Sequence, residues 1–139
     1  MVLIGSDSDR ERNLALAQAF SDPRIRVADT DASPLHLAAL IRHLDFMLSS
    51  DSLAMHLAIA QGVPTVAFFA PTSAAEIDDF GQVLKVVSTA PDYCSYRKDA
   101  DNSTVTHTRL LEALTQLSKR CTKTGPVSAL VSNLPASAR

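Results

Sequence analysis

The sequence has few cysteines and lacks any long uninterrupted apolar segment. Cys94 and Cys121 are too few and too far apart for a disulfide framework or a zinc site, so we expect a reducing, cytoplasmic compartment. No apolar run approaches the ~20 residues that are needed to span a bilayer. Residues 1–4 also lack the basic start and long apolar stretch of a signal peptide. We therefore expect a core strand at this end and no membrane span.

An excess of charge of one sign is also missing. The chain carries 13 basic and 15 acidic residues, a net charge of −2, so no electrostatic footprint for nucleic acid is present. His36, His43 and His107 lack metal-ligand spacing with other ligands, and no Ser/His/Asp triad can be argued from the order of residues. We expect neither a metal nor a cofactor.

What the sequence does contain is a repeated alternation of strand and helix patterns over 139 residues. Strands are predicted at 2–4, 25–28, 46–48, 65–69 and 84–88. Helices are predicted to end near Ser21, to cover 34–41 and about 52–61, to form a short piece at 74–80, and to start at Thr106. This alternation predicts an α/β fold with a doubly wound parallel sheet, although a receiver-like or flavodoxin-like domain shares it.

The domain organisation follows from composition. Residues 1–120 are predicted to form one Rossmann-like domain, and residues 121–139, which are small, polar and punctuated by proline, a flexible C-terminal tail. The abrupt opening on an apolar strand suggests that a further segment precedes it.

The most informative stretch is residues 44–72, which reads as strand, polar turn, helix, glycine turn, strand and polar turn. Residues 49–52 offer side-chain acceptors for a helix start, and Gly62 and Pro64 offer a helix end. The turns at 49–52 and 71–73 would both lie at the carboxyl ends of parallel strands, where ligands bind in open α/β sheets.

Asp51, Ser52 and His56 form the first candidate site. A helix that begins near Ser52 places Ser52 and His56 on one face, and its N–H groups and dipole favour a phosphate. Asp51 would repel a phosphate, so it is expected to cap the helix or to accept hydroxyls from a ribose or sugar. The alternative is that Asp51 only caps and that His56 is a half-buried helix histidine.

Two further turns are candidates. Residues 5–9, Gly-Ser-Asp-Ser-Asp, would let a backbone approach a ligand, but they are not GxGxxG, and a plain capped turn is the alternative. Residues 71–73 could hold a phosphate through Thr72, or merely cap the next helix. Tyr93 and Tyr96, with Cys94 between them, are expected to have a surface or packing role.

These motifs together resemble the C-terminal half of glycosyltransferase family nine, the ADP-heptose:lipopolysaccharide heptosyltransferases and their relatives. That family has an Asp, a Ser or Thr, a Gly, two variable residues and a His, then an Ala-rich helix, Gly-x-Pro-Thr, an apolar strand and Gly-Pro-Thr. The matching residues here are Asp51, Ser52, Met55, His56, Gly62, Pro64, Thr65, Pro71 and Thr72. The resemblance extends from Met1 to about Leu117.

The resemblance implies one Rossmann-like half of a GT-B-type glycosyltransferase, which holds a nucleotide-sugar donor such as an ADP-sugar. The residues expected to contact the donor are Asp7, Asp51, Ser52, Met55, His56 and Thr72. The acceptor and the catalytic base would belong to a missing N-terminal domain or a partner chain, so no catalytic residue is expected here. The implied reaction is an inverting, metal-independent transfer to a lipopolysaccharide-type or other glycan acceptor, in the cytoplasm or peripherally at the inner membrane.

Two residues depart from the family pattern. Leu53 and Ala70 stand where the family has glycine, and a side chain there reduces the room for a ligand. An alternative function is therefore a non-catalytic module that binds a nucleotide or a protein. A phosphoacceptor receiver domain is a third hypothesis, but Lys85, its candidate lysine, is predicted to lie inside a strand.

Overall fold

The computed structural model describes residues 1–30 and 33–121. Its elements alternate between strand and helix along the chain. In order they are β1 (Val2–Leu3), α1 (Asp7–Phe20), β2 (Arg26–Val27), α2 (Pro34–Ile41), β3 (Met47–Ser50), α3 (Leu53–Ala60), β4 (Thr65–Phe69), a 3₁₀ helix (Ala74–Glu76), β5 (Val83–Val87) and α4 (His107–Cys121). Most elements lie where the sequence places them.

The chain divides into two compact units, Met1–Leu40 and the residues from Ile41 onward. In the first unit β1 and β2 form a short parallel ladder, in which Val2 is opposite Arg26 and Leu3 is opposite Val27. Helix α1 connects these two strands, as the parallel pairing requires.

The second unit contains a parallel sheet with the strand order β3-β4-β5. Met47 of β3 pairs with Thr65 of β4, which pairs in turn with Val83 of β5. Helix α3 connects β3 to β4 and packs on both strands. The three strands therefore end at one common edge of the sheet.

Strand β4 is buried on both faces, because its side chains alternate between two hydrophobic clusters. Ala67 and Phe69 pack with Met55 and Ile59 of α3. Val66 and Phe68 point the other way and pack with Leu117 and its neighbours on α4. Helices thus cover the two faces of a parallel sheet, and the predicted α/β class is confirmed.

Several ends are shifted by one or two residues from prediction, and two boundaries differ by more. Helix α1 begins at Asp7, within the predicted turn at residues 5–9, because Ser6 Oγ and Ser6 N–H both donate to Asp9 Oδ2 and stabilise an earlier start. The predicted short helix at 74–80 is only the 3₁₀ turn Ala74–Glu76, since Asp78 and Asp79 accept hydrogen bonds from the N–H groups of Phe80 and Gly81. Both N–H groups therefore donate to side chains within a turn and do not continue a helix.

The predicted tail at 121–139 lies outside the described residues, except for Cys121, which ends α4. The longest helix in residues 1–30 and 33–121 is α4, with 15 residues, and no helix in this part of the chain has the length and apolarity that crossing a membrane requires.

Candidate functional site

The candidate site of the second unit is built on the carboxyl ends of β3, β4 and β5. The turn after β3 contains Asp51 and Ser52, and the turn after β4 contains Thr72. Because the three strands are parallel, these turns leave the same edge of one sheet. Ligands of open α/β sheets bind at such an edge.

The helix starts near Ser52, as predicted, but its N-cap is Ser52 and not Asp51, which was expected to cap the helix or to accept hydroxyls. The backbone of Ser52 is extended, with φ −160° and ψ 167°, and its Oγ accepts a 3.5 Å hydrogen bond from Met55 N–H. A second hydroxyl, Ser49 Oγ, lies 3.0 Å from Ser52 Oγ. A helix start leaves N–H groups without partners inside the helix, and the helix dipole there favours an anion.

His56 lies one turn into α3, directly above its start. Its backbone N–H donates to Ser52 O at 3.2 Å, so the predicted spacing of Ser52 and His56 on one helix face is confirmed. His56 Nε2 is 3.6 Å from Asp51 Oδ1, and the two side chains are 54% and 21% exposed. The imidazole is therefore accessible from solvent and is placed beside a carboxylate.

Two other side chains in the first turn of α3 have opposite environments. Leu53, which stands where the family pattern described above has glycine, is 56% exposed. Met55, in contrast, is fully buried in the cluster with Phe69 and Ala74. The predicted contact between Met55 and a donor stays a prediction, and its buried side chain limits such a contact to the backbone. Leu53 makes the rim of the helix start apolar.

Thr72 is the predicted donor-binding residue of the turn after β4. Its Oγ1 is buried and has no hydrogen-bond partner among the described residues. The two carbonyls that precede it are occupied, because Ala70 O accepts from Cys94 N–H at 3.1 Å and Pro71 O accepts from Tyr96 N–H at 2.8 Å. A buried hydroxyl without a partner costs free energy, so a ligand that bonds to it gains affinity.

The glycine-containing turn of the first unit has mainly a structural role. A Cβ on Gly5 would lie 2.6 Å from Asp9 Cβ and 2.8 Å from Asn13 Nδ2, so α1 itself makes the close approach to this glycine. The two hydrogen bonds from Ser6 lower the pKa of Asp9. Asp7 is exposed in the first turn of α1, and its predicted ribose contact is untested.

A pair of tyrosines after β5 contributes contacts that the sequence analysis did not assign. Tyr93 Oη accepts from Ala74 N–H at 2.9 Å, and Tyr96 Oη donates to Glu76 Oε1 at 2.7 Å. The bond to the Glu76 carboxylate raises the pKa of Tyr96 to about 12. The partners of the two tyrosines lie 19 and 20 residues away in the sequence. The only sequence feature that could have indicated these contacts is therefore the pair of tyrosines, three residues apart in a long connection.

Two charged side chains of the second unit also bind backbone carbonyls. Lys85 Nζ donates to Ala74 O and Ile77 O, at 3.0 and 2.7 Å. Arg109 donates to Thr104 O and Val87 O, at 2.6 and 2.8 Å. Lys85 lies inside β5, as predicted, and it anchors the connection that follows β4.

Other features of residues 1–30 and 33–121 offer less chemistry. A groove of about 270 Å³ is lined by β5 and α4, including Leu84, Val86 and Arg109, and contains no residue of the turn at Asp51. Within the same residues, no group of three or more His, Cys, Asp or Glu side chains could hold a metal ion. The carboxyl edge of the β3-β4-β5 sheet is therefore a better candidate for a binding site than this groove.

Comparison with known proteins identifies a family. The family model described as glycosyltransferase family 9 (heptosyltransferase) matches residues 1–106. Neither the comparison with curated proteins nor the comparison with solved structures finds a match. The matched segment contains both candidate turns of the second unit and the turn at Gly5.

Proposed function

The chain belongs to glycosyltransferase family 9, whose members are of heptosyltransferase type, and from this premise we propose that it binds the nucleotide-sugar donor. The family model matches residues 1–106 of 139. The proposed donor is an ADP-sugar. The chain would correspond to the C-terminal half of the family fold, with the acceptor held by an N-terminal domain or a partner chain.

The observation that carries this proposal is the start of α3. Ser52 caps a helix whose first N–H groups lie at the carboxyl end of β3, and His56 is exposed one turn later on the same face. Helix N-termini at this edge bind phosphate groups through N–H donors and the helix dipole. A diphosphate placed there would have the amides of α3 on one side and the imidazole on the other.

The turn after β4 supports the same assignment. Thr72 follows the neighbouring strand of the sheet, and its buried hydroxyl has no partner among the described residues. A phosphate or ribose oxygen would satisfy this hydroxyl. Asp51, whose carboxylate repels a phosphate, is assigned to the sugar or ribose hydroxyls instead.

In the proposed reaction an acceptor hydroxyl attacks the anomeric carbon of the donor, and the bond from that carbon to the diphosphate breaks. A base outside this chain removes the acceptor proton. Negative charge develops on the leaving nucleoside diphosphate, and the first-turn amides of α3, with His56, stabilise it. The acceptor class, a lipopolysaccharide-type or other glycan, and the location, cytoplasmic or peripheral at the inner membrane, stay predictions.

A second candidate function is a nucleotide-binding module without turnover. Leu53 favours it, because an exposed isobutyl group stands at the first helical residue, where the family pattern has glycine. A side chain at that position limits how closely a sugar can approach the helix start. ADP binding without turnover of ADP-sugars, even with co-purifying proteins present, would favour this function.

Calorimetry with ADP tests the proposal. We expect wild type to bind ADP and His56→Ala to bind it at least fivefold more weakly, since the variant removes one polar contact worth about 1 kcal/mol. His107→Ala is the matched control, because His107 is an exposed histidine of another helix. Absence of binding at millimolar ADP, or equal affinities of wild type and His56→Ala, would refute donor binding at this site.

A further inference from the structure

The connections that follow β4 and β5 are tied together by a set of hydrogen bonds on both sides of Thr72. On the N-terminal side, the backbone N–H groups of Cys94 and Tyr96 donate to the carbonyls of Ala70 and Pro71. On the C-terminal side, Tyr93 Oη accepts from Ala74 N–H. Thr72 therefore lies between fixed backbone positions.

Ala74 is held through both of its backbone polar groups. Its N–H donates to Tyr93 Oη at 2.9 Å, and its carbonyl accepts from Lys85 Nζ at 3.0 Å. The residue is also buried, in the cluster that contains Met55 and Phe69. Ala74 is thus fixed by packing and by hydrogen bonds together.

The Tyr93 side chain packs against that same cluster. Because Met55 belongs to the first turn of α3, Tyr93 is linked through packing to the helix start and through its hydroxyl to the Thr72 turn. One phenol therefore connects the two turns to which donor binding is assigned.

We propose that Tyr93 is a positioning residue for nucleotide binding, which holds the Thr72 hydroxyl in place for a nucleoside diphosphate at the start of α3. This inference rests on the proposed function. Tyr93 acts through Ala74 and Thr72, not by touching the ligand. Its loss releases the Ala74 N–H and allows the turn to shift, so that Thr72 Oγ1 no longer meets its ligand oxygen.

The test is a double-mutant cycle, in which ADP affinity is measured by calorimetry for Tyr93→Phe, Thr72→Val and the double variant of the full chain. Tyr93→Phe keeps the packed ring and removes only the hydroxyl. We expect it to weaken ADP binding about five- to tenfold, as loss of one hydrogen bond does. In the Thr72→Val background the same change should have less than a twofold effect.

Tyr96→Phe is the matched control. It removes a hydroxyl from the same connection, but that hydroxyl bonds to the exposed Glu76 side chain and not to the Thr72 turn. We expect less than a twofold change in ADP affinity. Should Tyr93→Phe fold poorly, Lys85→Met replaces it in the cycle as a second way to release Ala74, since it removes the bonds to the carbonyls of Ala74 and Ile77 together with the ion pair to Asp79.

The outcomes separate this inference from the proposal on which it rests. Unchanged affinity in Tyr93→Phe, or losses that simply add in the double variant, would overturn the positioning role and leave donor binding intact. Failure of wild type to bind ADP would overturn both. Thermal midpoints without ADP show whether a variant is merely destabilised, because general destabilisation does not produce coupling to Thr72.

Discussion

The Lys85 ammonium group lies 2.9 Å from Asp79 Oδ2, and the same ammonium group donates to the carbonyls of Ala74 and Ile77. Its hydrogen bond to Asp79 is the main cause of the lowered pKa of that carboxyl, to which the Gly81 N–H adds. The Lys85 ammonium group thus binds three groups of the connection from β4 to β5, namely the Asp79 carboxylate and the carbonyls of Ala74 and Ile77. This arrangement makes the stability of the connection dependent on pH.

Asp79→Asn is expected to lower the free energy of unfolding by about 0.5–1 kcal/mol at pH 7. The variant loses the charge but keeps an oxygen for the Gly81 N–H. Because the pKa of Asp79 is lower in the folded state than its ordinary value of 3.8, the pair stabilises the fold above that pH. Its contribution is lost as the pH falls through the folded value. Urea denaturation of wild type and variant at pH 7 and at pH 3 measures the difference in free energy of unfolding and its decrease in acid.

The control for this prediction is Asp99→Asn. Asp99 pairs with Arg97 at 2.6 Å, but both side chains are more than half exposed, so little change is expected. A difference between wild type and Asp79→Asn that stays constant from pH 7 to pH 3 would contradict the role assigned to the ion pair.

Thr72→Val is expected to leave the free energy of unfolding unchanged or slightly raised, because Thr72 Oγ1 is buried without a partner among the described residues. Thr65→Val is the contrast. Thr65 is fully buried and its Oγ1 donates to Val63 O at 2.8 Å, so that substitution should cost about 1 kcal/mol. Chemical denaturation distinguishes the two. Equal losses would mean that the Thr72 hydroxyl already has a structural partner.

Ser52→Ala is expected to cost about 0.5–1 kcal/mol, at the lower end for a helix N-cap. The cap bond to Met55 N–H is long, at 3.5 Å, and Ser49 Oγ supplies a second contact. Ser50→Ala, at an exposed residue of the preceding strand, is the control. If both variants unfold at the same urea concentration, Ser52 is not a stabilising cap.

Leu53→Gly restores the glycine of the family pattern. Leu53 is more than half exposed, so the substitution removes little buried surface, and it should strengthen ADP binding by about threefold or more through closer approach to the helix start. Leu53→Ala, which removes the isobutyl group but keeps a Cβ, should give a smaller gain. Weaker binding by both variants would show that the leucine contributes to the site.

The sequence was sufficient for features that depend on local chemistry. The stretch 49–52 contains the N-cap of α3, although the cap is Ser52 and not Asp51, and Gly62, with φ +70°, follows the C-cap, because side-chain acceptors and glycine stabilise helix ends by short-range contacts. The same local signals predicted the spacing of Ser52 and His56. An apolar run alone does not decide burial, because β4 is buried on both faces, whereas the apolar run at 46–48, which was expected to be buried in the same way, has Phe46 and Leu48 44% and 42% exposed.

Features that depend on distant contacts were not predictable. Tyr93 and Ala74 are 19 residues apart, and nothing in either segment specifies the partner. The short helix expected at 74–80 ends after Glu76 because Asp78 and Asp79 bind the next N–H groups, in competition with helix formation. The start of α1 could have been predicted, since Ser6 and Asp9 have capping-box spacing.

The most direct test of donor binding at the start of α3 is an ADP titration of ¹⁵N-labelled protein followed by amide chemical shifts. We expect saturable shifts that are largest for residues 53–56 and 72–73, because the proposed diphosphate position lies beside the first turn of α3 and the turn after β4. Largest shifts along α4, in residues 107–119, or the absence of any saturable shift would contradict the assignment.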